Sequence, residues 1–142
     1  DALHGEKVSA ATMLVLLEYK KLADAIRRGA CRVHAFTDGD RELLQETFGR
    51  KGILGALEKE NTPELLDDVS TETLSGALPE ILKIIDLLPA VTDMQEMMNT
   101  AGCVSRVRDI GLPGEVIEES LLLAPYTRRR LSLLRLRKML TY

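Results

Sequence analysis

The stretch Leu3-His4-Gly5-Glu6-Lys7-Val8-Ser9-Ala10-Ala11-Thr12-Met13-Leu14-Val15-Leu16-Leu17 decides the class of this chain. Wound as a helix, it places His4, Val8, Ala11 and Val15 on one stripe that continues through Tyr19, Leu22 and Ile26 at steps of three or four. Between Val8 and Leu17 the other side is also apolar or small, at Ala10, Met13, Leu14 and Leu17, and a helix apolar all round is expected inside a protein. After Leu17 the pattern turns amphipathic, with Glu18, Lys20, Lys21 and Asp24 expected in water. His4 heads the stripe. A buried imidazole without partners costs about 1–3 kcal/mol, so it needs protein groups or a metal around it, and both stay open. Positions 7 and 8 are Lys and Val, so no second ligand stands a turn away. The other histidine, His34, lies in a loop-like run, and with neither a His-Glu-x-x-His nor a Cys-x-x-Cys pair no local motif completes a metal site.

Composition fits one helical domain over residues 1–142. The chain is 45% hydrophobic and 29% charged, enough to build a core, and only 4% aromatic with no Trp, so that core rests on Leu, Ile, Val, Ala and Met. Charges interrupt every apolar run short of the roughly 18 residues a membrane span needs, and no signal peptide is visible. Cys31 and Cys103 have neither metal-site spacing nor the density of a secreted scaffold, which fits a reducing cytoplasm.

Punctuation divides the rest into helices. Gly29 after Arg27 and Arg28 is a stop, and Thr37-Asp38-Gly39-Asp40 offers turn and N-cap chemistry for a helix carrying Leu43, Leu44 and Phe48 on one side. Gly49, Gly52 and Gly55 lack the strand and the Gly-Lys-Ser/Thr ending that a phosphate loop requires, and they read as helix punctuation. In Asn61-Thr62-Pro63-Glu64, Thr62 is expected as N-cap and Pro63 as first residue of a short helix to Val69. Ser70 or Thr71 caps a helix striped by Leu74, Ala77, Leu78, Ile81, Leu82 and Ile85, with Pro79 either kinking it or opening it. Pro89 stops that helix, a methionine-rich one (Met94, Met97, Met98) follows to Gly102, and Ile110-Gly111-Leu112-Pro113-Gly114 turns into a helix over Glu115 to Ala124. No alternating strand stands out, so the class is all-α, an antiparallel arrangement of helices.

Net charge is −3, unevenly spread. Thr127 to Tyr142 holds six of the 19 basic residues and none of the 22 acidic ones. This tail reads as a packed terminal helix with Leu133, Leu136 and Leu140 inward and its arginines paired or solvated. The competing reading is a non-catalytic binding module whose basic helix docks an acidic partner; nucleic acid and membrane surfaces rank lower.

Leu3-His4-Gly5-Glu6-Lys7-Val8 resembles the segment that opens the helical half of the metal-dependent polyol dehydrogenases, the group of glycerol dehydrogenase and dehydroquinate synthase. Ala101-Gly102, Asp109-Ile110-Gly111-Leu112 and Glu119-Ser120-Leu121-Leu122-Leu123-Ala124-Pro125-Tyr126-Thr127-Arg128-Arg129-Arg130-Leu131-Ser132-Leu133-Leu134 are similar to the carboxyl end of the sn-glycerol-1-phosphate dehydrogenases. The likeness covers both ends and hardly touches residues 31–98. It implies that His4 is the last of three zinc ligands, that the other two, an Asp and a His, stand before Asp1, and that a nucleotide-binding domain carrying NAD(P) also precedes it. It implies reduction of dihydroxyacetone phosphate, a small phosphorylated ketone, with Arg128 and Arg130 as weaker candidates for the phosphate. Opening at Asp1 without a Met, the chain reads as the C-terminal helical domain of such an enzyme, inactive alone and able to self-associate through the face its missing domain would cover.

Overall fold

The computed structural model describes residues 3–142, and the protein is all-α. Helices α1 (His4–Arg27), α2 (Arg41–Gly49), α3 (Leu54–Glu60), α4 (Thr71–Asp86), α5 (Val91–Thr100), α6 (Val116–Leu123) and α7 (Leu133–Leu136) are joined by short 3-10 turns. Two strands, β1 (Arg32–Val33) and β2 (Leu140–Thr141), pair antiparallel with Arg32 opposite Thr141 and Val33 opposite Leu140. The chain divides into two compact units. One comprises residues 1–31, 77–117 and 142, the other residues 32–76 and 118–141.

In the first unit α1 packs against α5 and against the 3-10 turn Val107–Ile110. Its buried apolar positions are Ala10, Met13, Leu16, Leu22, Ala23 and Ala25, of which only Leu22 belongs to the stripe headed by His4. That stripe is graded: His4, Val8 and Ala11 are exposed, Val15 and Tyr19 half-buried, Leu22 buried. The expectation that α1 is covered all round is therefore corrected, since Val8 and Leu17 are each about half exposed. Glu18, expected in water, is buried instead, because the hydroxyl of Tyr142 reaches its carboxylate and Lys21 lies 5.6 Å from the centre of the same tyrosine ring. Lys20 also turns inward. Its Nζ donates to the carbonyls of Ile85 (3.1 Å) and Leu88 (2.9 Å), supplying a cation at the C-terminal end of α4, where orphan carbonyls collect. Arg27 bridges Asp24 and Asp86 at 2.7 and 2.8 Å.

The second unit holds a cluster of Leu44, Phe48, Leu123 and Tyr126, flanked by Leu43, Leu54 and Leu57. Its caps differ from expectation. Glu64, not Thr62, caps the turn Leu65–Asp68 by accepting from Leu66 N, while the Thr62 hydroxyl donates back to Glu58 O at 2.7 Å, and the Thr62–Pro63 bond is cis. Asp40 stands at the N-cap of α2 but its carboxylate pairs with Lys138 rather than with the helix amides. The terminal segment is no continuous helix: α7 lasts one turn, Arg137–Met139 is 3-10, and β2 takes over.

Sequence signals for helix ends hold. Gly29 takes φ +67°, its N–H donating to Ile26 O and the Ala30 N–H to Ala25 O, the paired bonds that close a helix through a left-handed residue. Gly102 repeats the arrangement with Asn99 and Met98. Ser70 caps α4 by accepting from Thr73 N at 2.9 Å, and Pro79 lies inside α4 rather than opening it.

Candidate functional site

His4 is the first residue of α1 and its imidazole is exposed. The glutamate of the same His-Gly-Glu run has a structural role, since Glu6 accepts a hydrogen bond from the Leu3 N–H at 2.7 Å and so caps the helix from within. Gly5 has none. A Cβ built on it meets nothing within 4 Å among the described residues, so none of them requires glycine there. Leu3, 72% exposed, and Val8, 50% exposed, flank the imidazole. Zinc needs three or four protein ligands, and among the described residues no group of three His, Cys, Asp or Glu side chains is placed to hold a metal. His4 is one donor, and the described residues do not by themselves fit a zinc site. His34 is exposed and its Nδ1 lies 2.9 Å from its neighbour's carbonyl, Ala35 O.

The tail separates into engaged and exposed cations. Arg128 and Arg130 are exposed, and no hydrogen bond of either guanidinium is found among the described residues. Arg129 donates to Pro63 O. Arg135, in the apolar run Leu133-Leu134-Arg135-Leu136, is 1% exposed, the deepest charge in the second unit. One nitrogen forks across both oxygens of Glu64 (2.8 and 3.0 Å), and the other reaches Asn61 Oδ1 and Pro125 O. Asn61 completes the knot by donating to Leu57 O and Tyr126 O at 2.9 and 2.8 Å. Arg137 pairs with Glu118.

Above this knot, within the same unit, opens a cleft of about 400 Å³. Phe36, Leu44 and Leu57 give it apolar walls, Asp38 and Glu58 line its rim, and Tyr126 forms part of its floor. Lys138 Nζ and Arg135 Cζ lie 4.7 and 5.7 Å from the Tyr126 ring centre, close enough for cation–π attraction. Burial pushes the phenol up to about 12, helped by the negative charges of Asp38, Asp40 and Glu64 and opposed by Arg135. Tyr126 thus stays a neutral hydroxyl at neutral pH. Asp38 is bridged to Arg41 at 2.8 Å, which holds that guanidinium above its ordinary value. The sequence reading did not single out this cleft. Its one local signal is Arg135 itself, a charge inside an apolar run, which demands a buried acceptor somewhere.

The chain matches no protein-family model, no curated protein and no solved structure. Among the described residues, no helix is long and apolar enough to cross a membrane.

Proposed function

We propose that this chain is the helical portion of a metal-dependent, NAD(P)-linked polyol dehydrogenase of the sn-glycerol-1-phosphate type. The observation that carries the reading is the open end of α1. His4 presents an exposed imidazole on the turn shared with Val8, and Gly5 beside it leaves space that none of the described residues fills. Glycine in a helix costs about 0.5–1 kcal/mol relative to alanine, so a glycine without an internal reason suits the approach of a body from outside the chain. His4 would supply one nitrogen to zinc, with the remaining ligands and the nucleotide-binding domain coming from residues beyond this sequence. Zinc bound there would act as a Lewis acid toward the substrate carbonyl. What this chain contributes is the position of that one donor, set by the capped first turn of a 24-residue helix.

The basic tail lends less support to the alternative, a module docking acidic partners. Arg135, Arg137 and Lys138 are engaged by Glu64, Glu118 and Asp40, and Arg129 is exposed but donates to the Pro63 carbonyl, which leaves Arg128 and Arg130 as the exposed cations whose guanidinium groups make no hydrogen bond among the described residues. Those two remain candidates for a substrate phosphate, since guanidinium groups bind phosphate through paired hydrogen bonds.

The test expresses the protein from the start codon of its gene and follows NAD(P)H oxidation with dihydroxyacetone phosphate before chelation, after it, and after zinc is restored. Turnover that is lost and regained with the metal, and abolished by His4→Ala, is the expected result. Absence of turnover, or full activity in His4→Ala, overturns the proposal. Gly5→Ala sharpens it: the change should raise the thermal midpoint of the present chain slightly while lowering turnover of the longer protein.

A further inference from the structure

The cleft of the second unit is independent of the reading above, because it shares no residue with α1. Three of its features bear on what it could hold. First, Tyr126 is buried at 7% exposure and lines the cleft, and no hydrogen bond of its hydroxyl is found among the described residues. A polar group so placed lacks a partner that solvent or a ligand must supply. Second, Glu58 stands on the rim with a carboxylate that likewise accepts no hydrogen bond there, although Arg41 lies within its field. Third, the single cation of the lining, Arg41, is engaged by Asp38, and Glu64 is engaged from beneath by Arg135. The cleft groups that no protein group answers among the described residues are therefore an oxygen donor–acceptor and a negative charge, set against Phe36, Leu44 and Leu57.

We propose that this cleft is a binding site for a small organic cation, a primary ammonium on a short apolar stem. The ammonium has three donors, which suit the Glu58 carboxylate and the Tyr126 hydroxyl oxygen together with water. Its stem replaces water against Phe36, Leu44 and Leu57. An anion meets the carboxylates of Asp38, Glu58 and Glu64, and the cations around them, Arg41, Arg135 and Lys138, are each engaged by a carboxylate. A quaternary ammonium has no N–H for the phenol oxygen. A bare metal ion lacks a ligand set, since no group of three suitable side chains converges among the described residues. The phenol, held neutral well above physiological pH, keeps its lone pairs and its proton available to such a ligand.

The experiment titrates the full chain with hexylammonium, hexanol and hexanoate, following backbone amide shifts by NMR. Hexylammonium should shift residues 36, 44, 57, 58 and 126 with a Kd on the order of 1 mM, as expected for about seven heavy atoms. Hexanol should bind about tenfold more weakly and hexanoate should not bind, and raising salt should weaken hexylammonium alone. Glu58→Gln, at an exposed position, and Tyr126→Phe, which keeps the ring and its packing, should each weaken hexylammonium about tenfold. Hexanol or hexanoate binding as tightly as hexylammonium overturns the proposal. So does an unchanged Kd in Glu58→Gln, which stands as a test even if Tyr126→Phe perturbs folding, and so does the absence of shifts at those residues at 20-fold the expected Kd.

Discussion

Arg135 shows how much one residue can hold. Its guanidinium satisfies Glu64, Asn61 and the Pro125 carbonyl at once, and Asn61 passes the connection on to Leu57 and Tyr126. Removing one partner of a buried pair leaves the other charge uncompensated, so Arg135→Met should lower unfolding free energy by about 3 kcal/mol in urea titrations. Arg135→Met combined with Glu64→Leu should recover part of that loss, because the orphaned carboxylate goes with it. Arg135→Lys should also destabilise, since a point charge does not reproduce the fork. Tyr126 gives a prediction in pH. Its pKa is about 12 in the fold against about 10 in the unfolded chain, so the unfolded state releases the proton first as pH rises. The stabilisation is complete below pH 10 and is lost between pH 10 and 12. Difference absorbance of tyrosinate should show a component titrating near pH 12 that disappears in Tyr126→Phe.

At the scale of elements, the ends of helices are written in local chemistry. Gly29 sits at φ +67° with open space where a Cβ would be, so Gly29→Ala meets no clash and pays only for backbone conformation. The expected cost is about 1–2 kcal/mol, with Gly29→Asn costing less, measured as a shift in thermal midpoint. Ser70→Ala removes the acceptor for Thr73 N and should cost about 1 kcal/mol by the same measurement. Where a capping side chain has a stronger suitor, the local rule fails. Asp40 stands at the right position for α2 but its carboxylate goes to Lys138, 98 residues away in sequence, and the distant cation outweighs a neutral amide.

For the whole molecule, the last ten residues are structural rather than an appendage. They supply Arg135 and Met139, each 1% exposed, and the strand that pairs with Arg32–Val33. Deleting residues 133–142 should therefore abolish hydrogen-exchange protection in α2, which carries Leu44 and Phe48, and in α3, which packs against it. Retention of that protection in the shortened chain would contradict the role given to Arg135.

The sequence by itself determined the helical class, the helix stops at Gly29 and Gly102, a cap at Ser70 or Thr71, and the Leu44 and Phe48 face of α2. All of these depend on bonds between residues three to five apart or on a period of 3.6, which a linear reading can follow. It also singled out His4, which stands exposed at the start of α1. Only the tertiary structure decided that Glu18 is buried, that Glu64 rather than Thr62 is the cap, that the basic tail breaks after one helical turn, and that a cleft opens over Tyr126. The carboxylates show why: Glu18, Glu64 and Asp40 each meet a partner far along the chain, Tyr142, Arg135 and Lys138 respectively. A charge is buried or solvated according to whether an opposite charge arrives in space, and spacing along the chain carries no record of that meeting.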